Sequence, residues 1–347
     1  MSEHAWGEDR IMTFLKEGRE LYSSLYKGNK DVKVPPPRFI SCWISEVCNL
    51  DCTYCFFSST NHDKSHQYID TERFVQWLSQ AKAAGAEALE FSGGGEPTLH
   101  PKLDEIVRRS WAMGYSLGMI THACNPMDHR LLVDHLKYVR CGLDAASAKT
   151  HDLIKRNHRK DYWFHRAIEN IQELVRLRDA KSDRTFTVGI KVVLNTINSH
   201  ELQDMIELAQ SMCVDYIQIK REHSSDHDIP PDQFERIQKV IDDNAWNGVT
   251  RVVGTMMHAK ARTKCFMSPI HTVVTATGKI LQCCFFEDRP IGTIFQEFPD
   301  VWGNDEHRRV VEMTTMEECG KLDCRFNFYN SKMKNIIEDP LASTSFI

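Results

Sequence analysis

Short β-rich runs alternate with helical stretches through most of this chain, and this alternation limits its possible folds more than any other feature. Strands are predicted at Phe39–Ser45, Ala88–Phe91, Ser116–Thr121, Tyr138–Leu143, Thr185–Leu194 and Tyr216–Ile219. Helices are predicted near residues 70–84, 101–113, 128–136, 164–178 and 200–211. Such repeats predict a parallel sheet with right-handed crossovers, either open or curled toward a barrel. Ligands bind at the carboxyl ends of the strands in these folds.

The chain divides into four predicted segments. Residues 1–37 form an arm, with a helix over 8–27 and a stiff linker of three prolines. Residues 38–245 form the strand–helix core. Residues 246–335 form a smaller cysteine-rich unit, and residues 336–347 form a tail. The smaller unit has predicted strands and helices at Val249–Val253, Thr272–Thr275, Lys279–Gln282, 304–314 and 316–330.

Composition excludes several classes of protein. The 347 residues carry 43 Lys and Arg against 48 Asp and Glu, and a net charge of −5 argues against a nucleic-acid partner. No apolar run reaches the roughly 18 residues that span a membrane, and the N-terminus lacks a secretory signal. We therefore expect a cytoplasmic protein with no membrane partner. In that reducing compartment the 12 cysteines suit metal binding better than disulfides.

Three cysteines, Cys48, Cys52 and Cys55, lie directly after the first predicted strand. Thiolates this close repel one another unless a metal neutralises them. A four-iron cluster held by three thiolates keeps one iron open to an exogenous ligand, whereas a structural zinc ion needs a fourth protein ligand. His62 or His66 could supply that ligand. The spacing favours iron–sulfur and leaves zinc as the alternative.

A glycine-rich segment, Gly93-Gly94-Gly95-Glu96-Pro97, follows the second predicted strand. Glycines at a strand end let the backbone approach a ligand closely. The segment is equally compatible with a simple turn into a helix that has Pro97 at its first position.

A second group of cysteines lies near the C-terminus. Cys265 is followed by twelve residues, Gly278, four residues and Cys283, and then by Cys319 and Cys324. Four thiolates from separated segments suit either a closed tetrahedral zinc site or a fully ligated four-iron cluster.

The pattern Cys-x3-Cys-x2-Cys after the first strand, with Tyr54 before the last cysteine, resembles the signature of the radical S-adenosylmethionine (SAM) superfamily. The resemblance implies a partial (β/α)6 TIM-like barrel in which Cys48, Cys52 and Cys55 hold a [4Fe–4S] cluster. SAM would chelate the open iron, and electron transfer into its sulfonium would release methionine and a 5′-deoxyadenosyl radical.

The same resemblance implies a set of residues that contact SAM, with Tyr54 against adenine and the glycine segment near the methionine amine. These residues are Tyr54, Gly94, Gly95, Glu96, Thr121, Asp144 and Asn195. His122 and Gly142 depart from the residues common in the family, and their departure could widen the space for a substrate.

The spacing around Gly278 resembles the SPASM and twitch extensions of radical SAM enzymes. Only Cys319 and Cys324 follow, so the resemblance favours the shorter twitch form, a small β-hairpin and helix domain. It implies one auxiliary [4Fe–4S] cluster held by Cys265, Cys283, Cys319 and Cys324.

Five further residues are candidates for catalysis: Cys124, Lys220, Arg221, Glu222 and Cys284. A thiol at position 124 or 284 could return a hydrogen atom to a substrate radical, and Cys284 could instead be an alternative ligand or a free thiol. The polar run at 220–223, which includes His223, could supply a base that deprotonates the radical. A solvated charged loop is the alternative interpretation of that run.

The resemblance implies a radical SAM oxidoreductase, epimerase or lyase. We expect hydrogen abstraction from a small polar metabolite, such as a sugar or aminocyclitol, that leads to oxidation, epimerisation or elimination. A flavodoxin or ferredoxin-type electron donor is implied. Peptide maturation is the alternative, although only about 37 residues precede the predicted barrel, too few for a peptide-recognition domain. A non-enzymatic zinc-binding module is the alternative from another class.

Overall fold

The computed structural model describes residues 34–55, 57, 67–156, 162–222, 227–256, 265, 270–313, 319 and 330. The predicted helix over 8–27, nearly all of the predicted helix near 316–330 and the tail lie outside the described residues. So do His62, His66, His223 and Cys324. Within the described part of the chain, no helix has the length and apolar character needed to cross a membrane.

The strands of the described residues form one sheet. They are β1 Phe39–Cys42, β2 Ala88–Phe91, β3 Ser116–Thr121, β4 Leu136–Gly142, β5 Thr187–Leu194, β6 Tyr216–Arg221, β7 Arg251–Gly254, β8 His271–Val274, β9 Lys279–Leu281 and β10 Pro290–Thr293. Their order is β10-β9-β8-β1-β2-β3-β4-β5-β6-β7. Strands β1 to β7 pair in parallel in chain order, which confirms the predicted parallel α/β architecture.

Helices connect the parallel strands from β1 to β7. They are α1 Thr71–Ala84, α2 Leu103–Ala112, α3 His129–His135, α4 Ala148–Lys155, α5 Tyr162–Asp179, α6 Leu202–Ser211 and α7 Phe234–Asp243. Two more helices, α8 Phe298–Val301 and α9 Asp305–Met313, follow β10. Helix α1 shows how the sequence sets its ends. The Asp70 side chain accepts a hydrogen bond from the Arg73 amide, and Gly85 ends the helix at φ 115°, a conformation that favours glycine.

The two faces of the sheet differ in chemistry. Residues such as Leu89, Val139 and Ile190 belong to one large apolar core. Their neighbours along the strands point to the opposite face, because side chains alternate. That face, called the polar face below, carries Ser41, Glu90, Tyr138, Arg140, Lys191, Tyr216, Gln218 and Lys220. Since the helices cover the apolar face, the polar face is the inner face of a partial barrel.

Two glycines create space on the polar face for tyrosine rings. A Cβ atom at Gly118 would lie 2.3 Å from Tyr138 Cε1, and one at Gly189 would lie 2.1 Å from Tyr216 Cζ. Each tyrosine ring therefore occupies the space above a glycine of the neighbouring strand. A residue with a Cβ atom at position 118 or 189 would collide with the ring.

The cysteine-rich unit continues the same sheet. Strand β8 pairs in parallel with β1, and the β8–β9 pair is the antiparallel hairpin that the sequence predicts at Gly278. Gly278 has φ 79°, as the turn requires. Strand β7 pairs with β6 and extends the parallel run beyond the predicted core. The division of the chain into a core and an appendix stays a prediction.

Candidate functional site

The loop after β1 carries Cys48, Cys52 and Cys55 and lies against the end of α4. The Asp51 amide donates to the Lys155 carbonyl (3.1 Å), and the Thr53 amide donates to the Ile154 carbonyl (2.8 Å). The last carbonyls of a helix have no partner within the helix, so the loop satisfies them. The position of the cysteine loop is therefore fixed by a helix that begins almost one hundred residues later.

The three thiols lie within electrostatic reach of one another. Burial raises the pKa of Cys48 to about 12, and the charges of Glu96, Cys52 and Cys55 add to that effect. Burial also raises the pKa of Cys52 to about 11, although the Lys155 ammonium partly opposes it. Thiols in this environment ionise when a cationic centre compensates their charge, so the donor set fits an iron–sulfur cluster.

A single metal ion would need a different arrangement of ligands. Among the residues described in the structure, no group of three or more His, Cys, Asp or Glu side chains is arranged to hold one metal ion. A four-iron cluster is wider than one ion and does not require such an arrangement.

The glycine segment packs directly on the residues that lead into the cysteine loop. Gly94 has φ 76°, and the amides of Gly95 and Glu96 donate to the carbonyls of Ser45 (2.6 Å) and Val47 (2.9 Å). A Cβ atom at position 95 would lie 2.3 Å from the Val47 oxygen. Only glycine permits this approach of two backbones, so the segment has a structural role whether or not it contacts a ligand.

Glu96 joins the loops that follow β2 and β3. It is buried, and its Oε1 atom accepts hydrogen bonds from the Thr98 amide (3.1 Å), the Thr98 hydroxyl (2.7 Å) and the Thr121 hydroxyl (2.6 Å). Its Oε2 atom accepts from the His122 amide (3.0 Å). The carboxylate is thus held in one position at the carboxyl edge of the sheet, together with Thr121, another predicted SAM contact.

His122 connects the β3 loop to the cysteine loop. Its Nδ1 atom accepts from the Cys124 amide (2.9 Å), so the proton of the neutral ring lies on Nε2, which donates to Asn49 Oδ1 (3.0 Å). Burial lowers the pKa of His122 and favours this neutral form. Asn49 Nδ2 in turn donates to Asn125 Oδ1 (2.8 Å). Neither Asn49 nor Asn125 could be identified from the sequence, because they carry no motif.

A buried ion pair lies on the other side of the cysteine loop. The Tyr54 hydroxyl donates to Asp144 Oδ2 (2.6 Å), and Lys155 Nζ donates to the Tyr54 oxygen (3.0 Å) and pairs with the same carboxylate oxygen of Asp144. Asp144 Oδ1 accepts from the Val193 amide (2.6 Å). Burial alone would raise the pKa of Asp144, but the ammonium and the hydrogen bonds outweigh it and lower that pKa. Lys155 was missed because a lone lysine gives no sequence signal.

Asn195 and Glu222 meet at the carboxyl ends of β5 and β6. Asn195 Nδ2 donates to Glu222 Oε2 (2.7 Å), and both side chains are buried. The solvated-loop interpretation therefore does not describe Glu222. Arg221 lies beside Asp228 (3.6 Å) and over the Phe234 ring, and Lys220 is paired in register with Val193.

The two candidate hydrogen donors occupy different environments. Cys124 is fully buried in the apolar core, and its Sγ atom donates to the His122 carbonyl (3.3 Å). Cys284 is partly buried and packs against Trp43, Val273 and Leu281. A role for either thiol as a hydrogen donor stays a prediction.

Cys265 and Cys283 of the second cysteine group are within electrostatic reach of each other. The pKa of Cys283 is raised well above its ordinary value by a hydrogen bond with Cys284, by burial and by the charges of Cys284 and Cys265. Cys319 is buried, and Cys324 lies outside the described residues. The neighbouring thiols fit a metal centre, as at the first group.

A hydrogen-bonded layer crosses the polar face. The Tyr138 hydroxyl donates to Glu90 Oε2 (2.5 Å), and Arg140 Nε donates to the Tyr216 hydroxyl (3.0 Å). The Arg140 guanidinium lies 5.6 Å from the centres of both tyrosine rings. This layer joins side chains of β2, β4 and β6.

Residues 44–209 match the Radical SAM superfamily. One curated relative is a tungsten-containing aldehyde ferredoxin oxidoreductase cofactor-modifying protein from Pyrococcus furiosus. It is 24% identical over 185 residues, which are 51% of this chain and 49% of the relative. Another is an S-adenosylmethionine-dependent nucleotide dehydratase from Flammeovirga pacifica, 24% identical over 139 residues, 37% of this chain and 47% of the relative. The chain thus matches about half the length of these curated relatives.

Solved structures share the fold. SuiB from Streptococcus suis, bound to the precursor peptide SuiA, has a TM-score of 0.65 at 15% identity and covers 86% of this chain and 71% of its own. The structure of anSMEcpe with bound AdoMet has a TM-score of 0.60 at 18% identity, and the match covers 84% of this chain and 87% of anSMEcpe. The cysteine motif lies within the match over residues 44–209, so this part of the chain is a radical SAM domain, and the cofactors of that family are a [4Fe–4S] cluster and SAM.

Proposed function

We propose that this chain cleaves SAM reductively at the carboxyl edge of its sheet and removes a hydrogen atom from a polar substrate held over the polar face. One observation carries the proposal: hydrogen bonds bring the cysteine loop, the glycine segment and the ends of β3, β4 and β5 to one place. The bonds that Glu96 and Asp144 accept are the centre of this arrangement. A ligand placed there would touch residues from every one of these loops.

In this proposal Cys48, Cys52 and Cys55 hold the cluster. When bound, the cluster and SAM supply an electron and a 5′-deoxyadenosyl radical. The residues of the protein would bind the cluster and SAM and orient the substrate. Glu96 offers a fixed negative charge that suits the methionine ammonium, and Gly94 and Gly95 keep the backbone close to it. Tyr54, Thr121, Asp144 and Asn195 are the proposed positions around the nucleoside.

The second group of cysteines is proposed to hold an auxiliary [4Fe–4S] cluster of the twitch type. Cys265 and Cys283 lie within electrostatic reach of each other, and the proposed set is completed by Cys319 and Cys324. A fully ligated cluster cannot bind SAM, so its proposed role is to accept an electron from a substrate radical or to organise the substrate side of the enzyme.

The polar face supports a small polar metabolite as the substrate. A purely structural inner face would carry apolar side chains, as parallel sheets covered on both sides usually do. Here Arg140, Lys191 and Lys220 face inward from successive strands. Glu222, buried beside Asn195, is the proposed base that takes a proton during oxidation, epimerisation or elimination.

Peptide modification is the second candidate function. One observation favours it: the structure of SuiB bound to a precursor peptide matches 86% of this chain. The two candidates differ in which deuterated compound transfers deuterium to 5′-deoxyadenosine. A labelled metabolite pool and labelled peptides, offered separately to the anaerobic enzyme, distinguish them.

Metal analysis tests the cluster assignment. We expect about eight irons per chain after anaerobic reconstitution, since each of two clusters holds four. A colourless protein that contains two zinc ions and no iron would contradict the proposal and support the zinc-binding module.

A further inference from the structure

Lys155 has a charged side chain that is almost completely buried, which is unusual for a lysine. It is 1% exposed, and lysine is almost never fully buried unless it is paired. It is also the last residue of α4, so its backbone carbonyl accepts the Asp51 amide while its side chain reaches Tyr54. One residue thus contacts the cysteine loop with both its backbone and its ammonium.

The ion pair contacts the cysteine loop at Tyr54, which touches both charged groups. Tyr54 and Lys155 reach the Oδ2 atom of Asp144, and the Val193 amide donates to its Oδ1 atom. The Asp144 carboxylate accepts from the Lys155 ammonium and also from a hydroxyl and a backbone amide, and these two further donors offset part of its negative charge. The Lys155 ammonium lies 3.0 Å from the Tyr54 oxygen and 5.4 Å from the centre of the Tyr54 ring, between Cys52 and Cys55 in the sequence, so its positive charge is close to the cysteine loop.

We propose that Lys155 is a positioning residue that raises the reduction potential of the cluster held by Cys48, Cys52 and Cys55. This inference rests on the proposed function. One electron enters from an external low-potential donor, no bond forms or breaks, and Lys155 keeps its proton throughout. A fixed positive charge in a poorly solvated site stabilises the state that holds one more electron, and net charge is among the features that set cluster potentials.

The experiment is a redox titration of the anaerobically reconstituted full chain, poised with dithionite and followed by electron paramagnetic resonance. Lys155→Met removes the charge, and Lys155→Arg keeps it. Lys239→Met is the matched control, because it removes a lysine that pairs with Asp243 on an exposed helix. We expect the potential of Lys155→Met to be more negative by at least 59 mV, a tenfold change in the ratio of reduced to oxidised cluster at a fixed potential.

The Lys155→Arg and Lys239→Met proteins should keep the wild-type potential. A Lys155→Met protein with a full cluster and the wild-type potential would overturn the proposal. If Lys155→Met does not fold, the double variant Lys155→Met/Asp144→Asn, which leaves no unpaired carboxylate, takes its place with the same expected direction and the same contradicting result.

A measurement without the cluster separates this proposal from the proposed function. If the wild-type protein binds no iron, the proposed function fails. Hydrogen exchange of the Asp51 and Thr53 amides then tests the positioning role. We expect exchange at least tenfold faster in Lys155→Met than in Lys155→Arg, and equal rates would overturn the positioning role. If the wild-type protein binds iron and Lys155→Met does not, the same hydrogen-exchange comparison tests the positioning role.

Discussion

The Tyr54 hydroxyl donates a 2.6 Å hydrogen bond to Asp144 Oδ2 and connects the cysteine loop to the end of β4. Together with the two backbone bonds to the end of α4, this bond holds the loop on the side of the ion pair. The bond also completes the partners of a buried ion pair. It therefore matters for stability as well as for the site.

Tyr54→Phe keeps the ring and removes this bond. We expect a loss of about 1–3 kcal/mol in the free energy of unfolding, since a buried charged acceptor loses a donor. Urea unfolding measures the loss. Tyr162→Phe is the matched control, because Tyr162 is 52% exposed and should lose less than about 0.5 kcal/mol. Equal stabilities of the two variants would contradict the role of the bond.

Gly95→Ala introduces a Cβ atom 2.3 Å from the Val47 oxygen. The backbone that leads into the cysteine loop must move, so we expect a loss of about 1–3 kcal/mol in stability and a lower iron content after reconstitution. Gly142→Ala is the control for stability, because its Cβ atom would meet neighbours only at 3.7 Å and beyond. Full iron content and full stability in Gly95→Ala would contradict the claim that the glycine segment holds the backbone before the cysteine loop in place.

Cys283→Ala and its neighbour Cys284→Ala form a matched pair for the second cluster. We expect Cys283→Ala to retain about four irons, the content of one cluster, and Cys284→Ala to retain about eight. Iron analysis of the reconstituted proteins measures the difference. The reverse result would make Cys284 the ligand.

Stability should fall between pH 7 and pH 5 because of His307. Burial lowers the pKa of this side chain from 6.5 to about 4. The unfolded chain therefore binds a proton that the folded chain does not, and the folded state loses stability as the pH falls through 6.5 toward 4. The loss from this residue is about 2 kcal/mol between pH 7 and pH 5.

The variant His307→Asn tests that pH dependence. The side-chain carbonyl of the introduced asparagine would still accept the bond that the Gly303 amide donates to His307 Nδ1, but an amide does not titrate. Urea midpoints at the two pH values should differ less in the variant than in the wild type. Equal pH dependence in both proteins would show that His307 is not the cause.

Cys213 has φ 55°, a left-handed conformation in which a Cβ atom is strained, and its side chain is exposed. Both Cys213→Gly and Cys213→Ala remove the thiol, but only glycine relieves the strain. We expect the glycine variant to be about 1 kcal/mol more stable than the alanine variant in urea unfolding. An alanine variant of equal or higher stability would contradict the strain.

The regular part of the fold could be predicted from the sequence because each element carries its own local signal. Strand β2 and strand β3 lie at the predicted residues, and α1 ends where Gly85 predicts. Helix α7 also carries such a signal, because Phe234, Ile237, Val240 and Ile241 recur at helical spacing, but it was missed. Strand β10 was missed because it begins with Pro290 and contains glycine.

The site could be predicted only where a motif marks it. The cysteines and the glycine segment have fixed spacings, whereas Lys155 reaches Tyr54 across 101 positions and Asn49 reaches His122 across 73. Such pairs depend on how the strands are ordered in the sheet, which no local pattern encodes. The burial of Glu222 likewise follows from its contact with Asn195, not from its charged neighbours in the sequence.

Reductive cleavage of SAM at the site of Cys48, Cys52 and Cys55 is the central claim. The most direct measurement is the formation of 5′-deoxyadenosine by the anaerobically reconstituted protein supplied with dithionite and SAM. We predict that the wild-type protein forms it and that Cys52→Ala does not. A wild-type protein that carries its cluster and yields no 5′-deoxyadenosine, or a Cys52→Ala variant that yields as much, would contradict the claim.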